Sequence, residues 1–167
     1  MKREVRSWIL NKENKLVEEK IEMESSNSVV VQMILSSVCG TDLHILDRHD
    51  SLKRPLSLGH EFIGKVISIP DSSYDYQIGD KLIIAPGVVC HDCVYCKKFH
   101  NDNWCTNRKS HGIYGLGSNS PILGGFSTEV ALIDGIRAYK IPEGMSDDRA
   151  VLSKPLTVAI RAVDRAT

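Results

Sequence analysis

The alternation of apolar and polar positions along the chain predicts mainly short β-strands. Residues 3–10 and 16–24 are two such segments, and the polar turn Asn11-Lys12-Glu13-Asn14 between them predicts a hairpin. Further apolar or alternating segments predict strands at residues 28–36, 61–69, 81–85, 126–133 and 138–141. Because turn residues separate many short strands, we expect a β-barrel or a sandwich.

The last part of the chain has a helical pattern instead. Ser146-Asp147-Asp148 combines a capping side chain with acidic residues, which is typical of a helix start. Residues 149–167 continue as a predicted helix, with a break or kink at Pro155. Its apolar positions predict a partly buried face formed by Val158, Ile160 and Val163.

Composition and charge narrow the class of protein. A chain of 167 residues fits one domain, or one domain and a fragment of another. Its 21 basic and 21 acidic residues leave no net charge to attract nucleic acid or an anionic membrane. The sequence contains no apolar run of bilayer length, and residues 1–4 lack the apolar core of a signal peptide. We therefore expect a cytoplasmic, reducing location.

Four closely spaced cysteines dominate the irregular, polar segment at residues 86–120. They follow the pattern Cys90-x2-Cys93-x2-Cys96-x8-Cys105. Four thiolates so close together favour a tetrahedral zinc ion or an iron–sulfur centre. Two disulfides are the alternative, but C-x2-C spacing and a reducing location favour the metal.

A second candidate metal site combines different residue types. Cys39 opens the segment Cys39-Gly40-Thr41-Asp42-Leu43-His44, and His60 and Glu61 follow Gly59. A sulfur, nitrogen and oxygen set would leave a position open on zinc for water or substrate. Taken singly, Cys39 could be a buried free thiol and His60 a core histidine. Glu61 could be a ligand or could pair with a nearby cation.

The ordered set of motifs resembles a known family. The matching segments are residues 39–44, 59–66, 79–82, 90–105, 124–129 and 155–159. They resemble the N-terminal, GroES-like catalytic domain of zinc-dependent medium-chain alcohol dehydrogenases, in the polyol and threonine dehydrogenase branch. The resemblance implies a mainly β, GroES-like barrel over residues 1–150, with a zinc lobe at about 88–110. Residues 151–167 would form a helical junction toward a cofactor-binding Rossmann domain that the chain lacks.

The resemblance also implies site roles and a reaction. By this resemblance, Cys39, His60 and Glu61 would hold a catalytic zinc in this chain. A structural zinc would be held by Cys90, Cys93, Cys96 and Cys105. The full-length parent would oxidise a secondary alcohol or polyol by hydride transfer to NAD or NADP. Thr41 and His44 would relay the proton, although a threonine there can also be a helix cap and a histidine a surface residue.

Lys154 departs from the family pattern. The branch usually has a glutamate at this position, and its carboxylate reaches the catalytic zinc or its water. An ammonium is repelled by a divalent cation. Lys154 could point away, lose its proton, or leave a site that binds zinc poorly. We hypothesise a functional site with altered metal affinity or substrate preference. A smaller departure is the spacing from Cys96 to Cys105, one residue longer than usual.

The sequence contains no dinucleotide-binding fingerprint. Gly115-Leu116-Gly117 does not qualify, because Pro121 intervenes and no helix pattern follows. We therefore expect the 167 residues alone neither to bind NAD(P) tightly nor to turn over alcohol. A non-catalytic, zinc-stabilised module that binds a partner through its junction face is the alternative. A zinc ribbon that binds nucleic acid is disfavoured by the neutral charge. Oligomers are common in the family, but nothing in the sequence specifies one.

Overall fold

The computed structural model describes residues 1–47, 55–70, 74–113 and 122–166, and these contain mostly β-structure. The strands are β1 (Lys2–Leu10), β2 (Leu16–Glu24), β3 (Val30–Ser36), β4 (Leu56–Ser57), β5 (Phe62–Ser68), β6 (Lys81–Ile84), β7 (Gly87–Val88), β8 (Lys109–Ser110), β9 (Glu129–Ala131) and β10 (Ala138–Lys140). The helices are α1 (Gly40–Asp47), α2 (Val94–Lys97), α3 (Asp147–Val151) and α4 (Ser153–Ala166), with a 3-10 turn at Asp102–Trp104.

The strands form two larger sheets and one small one. The first sheet has the order β2-β1-β4, the second the order β10-β6-β5-β3-β9, and β7 pairs with β8. Every strand pair among the described residues is antiparallel. The first two sheets are joined where Trp8 N–H donates to the Phe126 carbonyl at 3.0 Å and Thr128 N–H donates to the Arg6 carbonyl at 2.8 Å.

The apolar core lies between these sheets and anchors the helices that carry the site. Its largest cluster includes Val31 of β3, Val66 of β5 and Val130 of β9, all fully buried. A second cluster packs Ile45 of α1 against Leu10, Leu56 and Leu58. A third packs Ala150 and Val151 of α3 against Ile63 of β5. Both α1 and α3 are therefore fixed to the sheets by buried side chains.

The predicted hairpin and most predicted strands are confirmed. β1 and β2 pair over their full length, with Leu10 opposite Leu16. The strand predicted at residues 126–133 is shorter, because β9 covers Glu129–Ala131 alone. None of the helices among the described residues has the length and apolarity needed to cross a membrane. Gly115, Pro121 and Thr167 lie outside the described residues.

The C-terminal helix differs from its prediction in two ways. The chain leaves the helical path at Leu152, and Pro155 lies in the first turn of α4, where a missing N–H costs little. The predicted partly buried face is wrong: Val158, Ile160 and Val163 are 57%, 51% and 63% exposed. An amphipathic pattern indicates that a helix has an apolar face, but not that the described chain covers it.

Candidate metal centres

The start of α1 fixes the position of Cys39. Cys39 precedes the first helical residue, and its carbonyl accepts a hydrogen bond from Asp42 N–H at 3.0 Å. In return, Asp42 Oδ2 accepts one from Cys39 N–H at 2.9 Å. The Asp42 side chain therefore supplies one half of a capping box, the bond to the N–H of the residue before the helix, while the Cys39 carbonyl accepts from the first turn. The thiol is therefore held at the positive end of the helix dipole.

His60 and Glu61 are positioned by the turn that leads into β5. Gly59 adopts a φ of +86°, and a Cβ there would lie 2.7 Å from Phe126 Cδ1, so a glycine is required. The two side chains that follow are buried, with exposures of 3% and 4%. Asp42 Oδ1 accepts a hydrogen bond from Gly59 N–H at 3.3 Å and lies 3.4 Å from His60 Nδ1. The turn and the helix are thus joined through one carboxylate.

Asp42 contacts two of the candidate ligand residues, and the sequence did not single it out. Its side chain is 1% exposed, and it contacts the backbone beside one candidate ligand and the ring of another. Contact with a carboxylate fixes the orientation of a metal-binding histidine. The available signal was an acidic residue at the third position of a helix that begins just after Cys39.

Cys39, His60 and Glu61 converge. One ligand atom from each lies within 4.8 Å of the others, although α1 separates the first from the other two along the chain. Sulfur, imidazole nitrogen and carboxylate oxygen are all zinc ligands, so the donor set fits that ion. Since His60 Nδ1 faces Asp42, Nε2 is the ring nitrogen left for a metal.

Thr41 and His44 lie on α1 beside this site, and both are exposed. Thr41 Oγ1 is 3.7 Å from Cys39 Sγ. Residues three apart share one side of a helix, so the two side chains project from the same part of α1. Their part in a proton relay stays a prediction.

Lys154 lies inside the cluster instead of pointing away. Its Nζ is 2.7 Å from Glu61 Oε1 and 3.7 Å from Cys39 Sγ, and its side chain is 27% exposed. The other carboxylate oxygen of Glu61 accepts a hydrogen bond from Ser37 Oγ at 2.6 Å. Both oxygens of Glu61 therefore have partners.

The ionisation of the site follows from these contacts. Burial would raise the pKa of the Glu61 carboxyl, but hydrogen bonds from Lys154 and Ser37 outweigh it and lower the pKa. Burial would lower the pKa of Lys154, but Glu61 and then Cys39 outweigh it and raise the pKa. Burial likewise opposes ionisation of Cys39, yet hydrogen bonds from Thr41 and His60 lower its pKa. In this structure Lys154 thus keeps its proton and is the counter-ion of the Glu61 carboxylate, with the Cys39 sulfur 3.7 Å away.

The four-cysteine cluster has the spacing of a closed metal site. All four sulfurs lie within 4.8 Å of one another, with Cys93 to Cys96 at 3.6 Å and Cys90 to Cys105 at 3.5 Å. A tetrahedral zinc ion with bonds of 2.3 Å separates its sulfurs by about 3.8 Å. All five cysteines are free, so the structure gives no support to the disulfide alternative.

The pKa values of Cys93 and Cys96 shift in opposite directions. Backbone hydrogen bonds from Cys96 and Thr106 lower the pKa of Cys93 to about 5. Burial and the neighbouring sulfurs of Cys93 and Cys105 raise the pKa of Cys96 to about 12. Without a cation the crowded sulfurs resist full ionisation, whereas a zinc ion favours four thiolates.

This chain is similar in sequence to curated proteins that are more than twice as long. The Escherichia coli K12 starvation-sensing protein RspB is 32% identical over 158 residues, which cover 93% of this chain and 44% of RspB. The L-idonate 5-dehydrogenase (NAD(P)(+)) of the same strain is 32% identical over 146 residues, 85% of this chain and 41% of the relative. The chain therefore spans less than half the length of these relatives.

The fold and a family model agree with these matches. The crystal structure of an alcohol dehydrogenase from Thermotoga maritima superposes with a TM-score of 0.79 at 27% identity, covering 90% of this chain and 44% of that one. The model of the alcohol dehydrogenase GroES-like domain matches residues 25–143. Because this match takes in both candidate metal centres and most of the strands, the chain belongs to the alcohol dehydrogenase GroES-like domain family.

Proposed function

We propose that this chain is the catalytic domain of a zinc-dependent alcohol or polyol dehydrogenase. The whole protein would oxidise a secondary alcohol and transfer a hydride to NAD or NADP. The observation that carries this proposal is the convergence of Cys39, His60 and Glu61 within 4.8 Å. Family membership supports it, and so does the name of the related L-idonate 5-dehydrogenase (NAD(P)(+)).

In this proposal, Cys39, His60 and Glu61 hold the catalytic zinc. The ion would lower the pKa of a bound alcohol hydroxyl, as zinc does for water. Asp42 keeps the His60 ring oriented through its contact at Nδ1. In the proposed relay, the Thr41 hydroxyl beside Cys39 would accept the substrate's hydroxyl proton while giving its own proton on to His44, which would release a proton to solvent from the exposed side of α1.

The second zinc would be structural. Cys90, Cys93, Cys96 and Cys105 offer four sulfurs and would leave no position for a substrate. Around them the described chain has little regular structure, namely the four-residue helix α2, the 3-10 turn at Asp102–Trp104 and the short β7–β8 pair. A structural zinc contributes on the order of 10 kcal/mol to the folding of such a segment. This ion would therefore stabilise the lobe at about residues 88–110.

We assign the catalytic domain to residues 1–150 and the junction to residues 151–167. The exposure of α4 supports this boundary, because α3 packs on β5 whereas no residue of α4 is buried. The NAD(P) site would lie outside these 167 residues, since dinucleotides bind to parallel βαβ units and the described strand pairs are antiparallel. The chain alone would then be inactive. Thiolate ligands suit a reducing, cytoplasmic location.

Zinc content tests the proposal. The purified chain, analysed by plasma mass spectrometry, should hold two zinc ions, Cys39→Ser one, and Cys96→Ser one. A chimera that joins residues 1–166 to the remainder of the L-idonate relative should form NADH from a polyol and lose this activity with Cys39→Ser.

A second candidate, the non-catalytic zinc-stabilised module, is favoured by the ion pair of Lys154 with Glu61. This second candidate would be supported if the unsubstituted chain held one zinc ion, and if Cys96→Ser lost that ion whereas Cys39→Ser kept it.

A further inference from the structure

Lys154 lies where an ion shared by Cys39 and Glu61 would be. Its Nζ is 2.7 Å from a Glu61 oxygen and 3.7 Å from the Cys39 sulfur. Zinc bonds to these ligand types measure about 2.0 to 2.3 Å. An ion bonded to both residues would therefore lie within a few ångströms of the ammonium, where two cations repel strongly.

The position of Lys154 is set by the fold. Lys154 is the second residue of α4, just after α3, and Ala150 and Val151 of α3 pack on Ile63 of β5. Ser153 Oγ also donates a hydrogen bond to the Ala150 carbonyl. The backbone that carries Lys154 is thus anchored to the same strand that Glu61 precedes.

The side chain itself can still leave the site. It is 27% exposed, in contrast to 4% for its partner Glu61. A lysine side chain has several rotatable bonds, so its ammonium can move to water while the backbone stays in place. Ser37 would remain hydrogen-bonded to the other oxygen of Glu61 after the lysine left.

We propose that Lys154 is an intramolecular competitor of the metal ion at the Cys39–His60–Glu61 site. When the site is empty, the ammonium pairs with the Glu61 carboxylate and lies beside the Cys39 sulfur, and zinc has to displace it. This site therefore binds zinc more weakly than the four-cysteine site and fills second. The inference rests on the proposed function, because it takes that site to be one for zinc.

The first experiment measures zinc affinity at each site by competition with a chelating indicator. Cobalt spectra identify the site, because one thiolate and four thiolates give different charge-transfer intensities. Lys154→Met keeps an unbranched side chain one atom shorter and removes the charge, so the Cys39 site should bind zinc about tenfold more tightly. The affinity of the four-cysteine site should not change, which also shows that the variant is folded.

Two further variants are matched controls. Lys154→Arg keeps the charge and should stay within about threefold of the parent. Lys140→Met removes the ammonium from another ion pair, with Asp80 at 2.7 Å, and should change neither affinity. Equal or weaker binding at the Cys39 site of Lys154→Met would overturn the inference and leave the dehydrogenase proposal intact. If the Cys39 site binds zinc neither in the parent nor in Lys154→Met, the competition inference and the dehydrogenase proposal are both overturned.

The second experiment needs no variant. The chain is acetylated briefly with one and then with two equivalents of zinc, and labelled lysines are quantified by peptide mass spectrometry. Labelling of Lys154 should rise severalfold with the second equivalent, because its ammonium leaves Glu61 for solvent, whereas labelling of Lys140 should stay constant. Unchanged labelling of Lys154 while zinc fills the Cys39 site would refute displacement.

Discussion

His111 should make the stability of this domain depend on pH. Its ring is fully buried and lies edge-on to Phe62, with centroids 5.7 Å apart. Nδ1 lies 2.7 Å from the Leu123 carbonyl, and Nε2 accepts a hydrogen bond from Ile133 N–H at 3.3 Å. The neutral tautomer with its proton on Nδ1 satisfies both contacts. A second proton, on Nε2, would face the N–H of Ile133.

The size of the effect follows from the pKa. Burial lowers the pKa of His111 from 6.5 to about 4, and the hydrogen bond to Leu123 offsets only part of this. Between these values the unfolded chain binds a proton that the folded chain does not, so stability falls as the pH falls. One pKa unit corresponds to 1.36 kcal/mol, which predicts a loss of about 2 kcal/mol from pH 7 to 5 and about 3 kcal/mol by pH 4.

Urea unfolding of the parent and of His111→Gln, from pH 7 to pH 4, isolates this contribution. Glutamine can donate to the Leu123 carbonyl and accept from Ile133 N–H, but it does not titrate. The variant should be less stable than the parent at pH 7, and this deficit should shrink as the pH falls, because only the parent loses the contribution of a neutral His111. Acid effects on the metal sites occur in both proteins and cancel in the difference. A difference that stays constant across this range would refute the assignment of a neutral, buried ring.

Three other substitutions test the packing and the site. Gly64→Ala places a Cβ 2.8 Å from the Val31 Cβ, inside the sheet core, and should lower the free energy of unfolding by about 1–3 kcal/mol; an unchanged urea midpoint would contradict this. Asp42→Asn removes the charge that faces His60 and should weaken zinc binding at the Cys39 site about tenfold. Zinc binding at the four-cysteine site should not change. Equal losses of affinity at the two sites would indicate general unfolding instead. Ile160→Asp replaces a side chain that is 51% exposed on α4, so the free energy of unfolding should change by no more than about 0.5 kcal/mol. A loss above about 2 kcal/mol would show that the apolar side of α4 is covered.

Local features of this fold could be predicted from the sequence. The β1–β2 hairpin depends on a short turn and on alternating residues within one segment. The four-cysteine lobe depends on spacing along a single loop. The pairing of Cys39 with His60 and Glu61 depends on distant segments, and it was the resemblance to a family that connected them. Spacing alone cannot indicate such convergence, because the sheet register decides it.

The contacts of Asp42 and Lys154 could not be predicted from the sequence, for a related reason. Asp42 appeared as one acidic residue in a helix, and only the turn at Gly59 brings His60 within 3.4 Å of it. Lys154 contacts Glu61 from the start of a helix that begins after an interruption at Leu152, before the predicted break at Pro155. The exposure of α4 depends on what packs against it, which an amphipathic pattern does not specify.

The two oxygens of Asp42 have a mechanical consequence. One is bonded to the backbone of Cys39, and the other faces the backbone of Gly59 and the ring of His60. Thermal displacement of α1 therefore carries the thiol and the imidazole in the same direction. The gap between these two side chains should fluctuate less than the helix itself, and a cation between them would experience a nearly constant cavity.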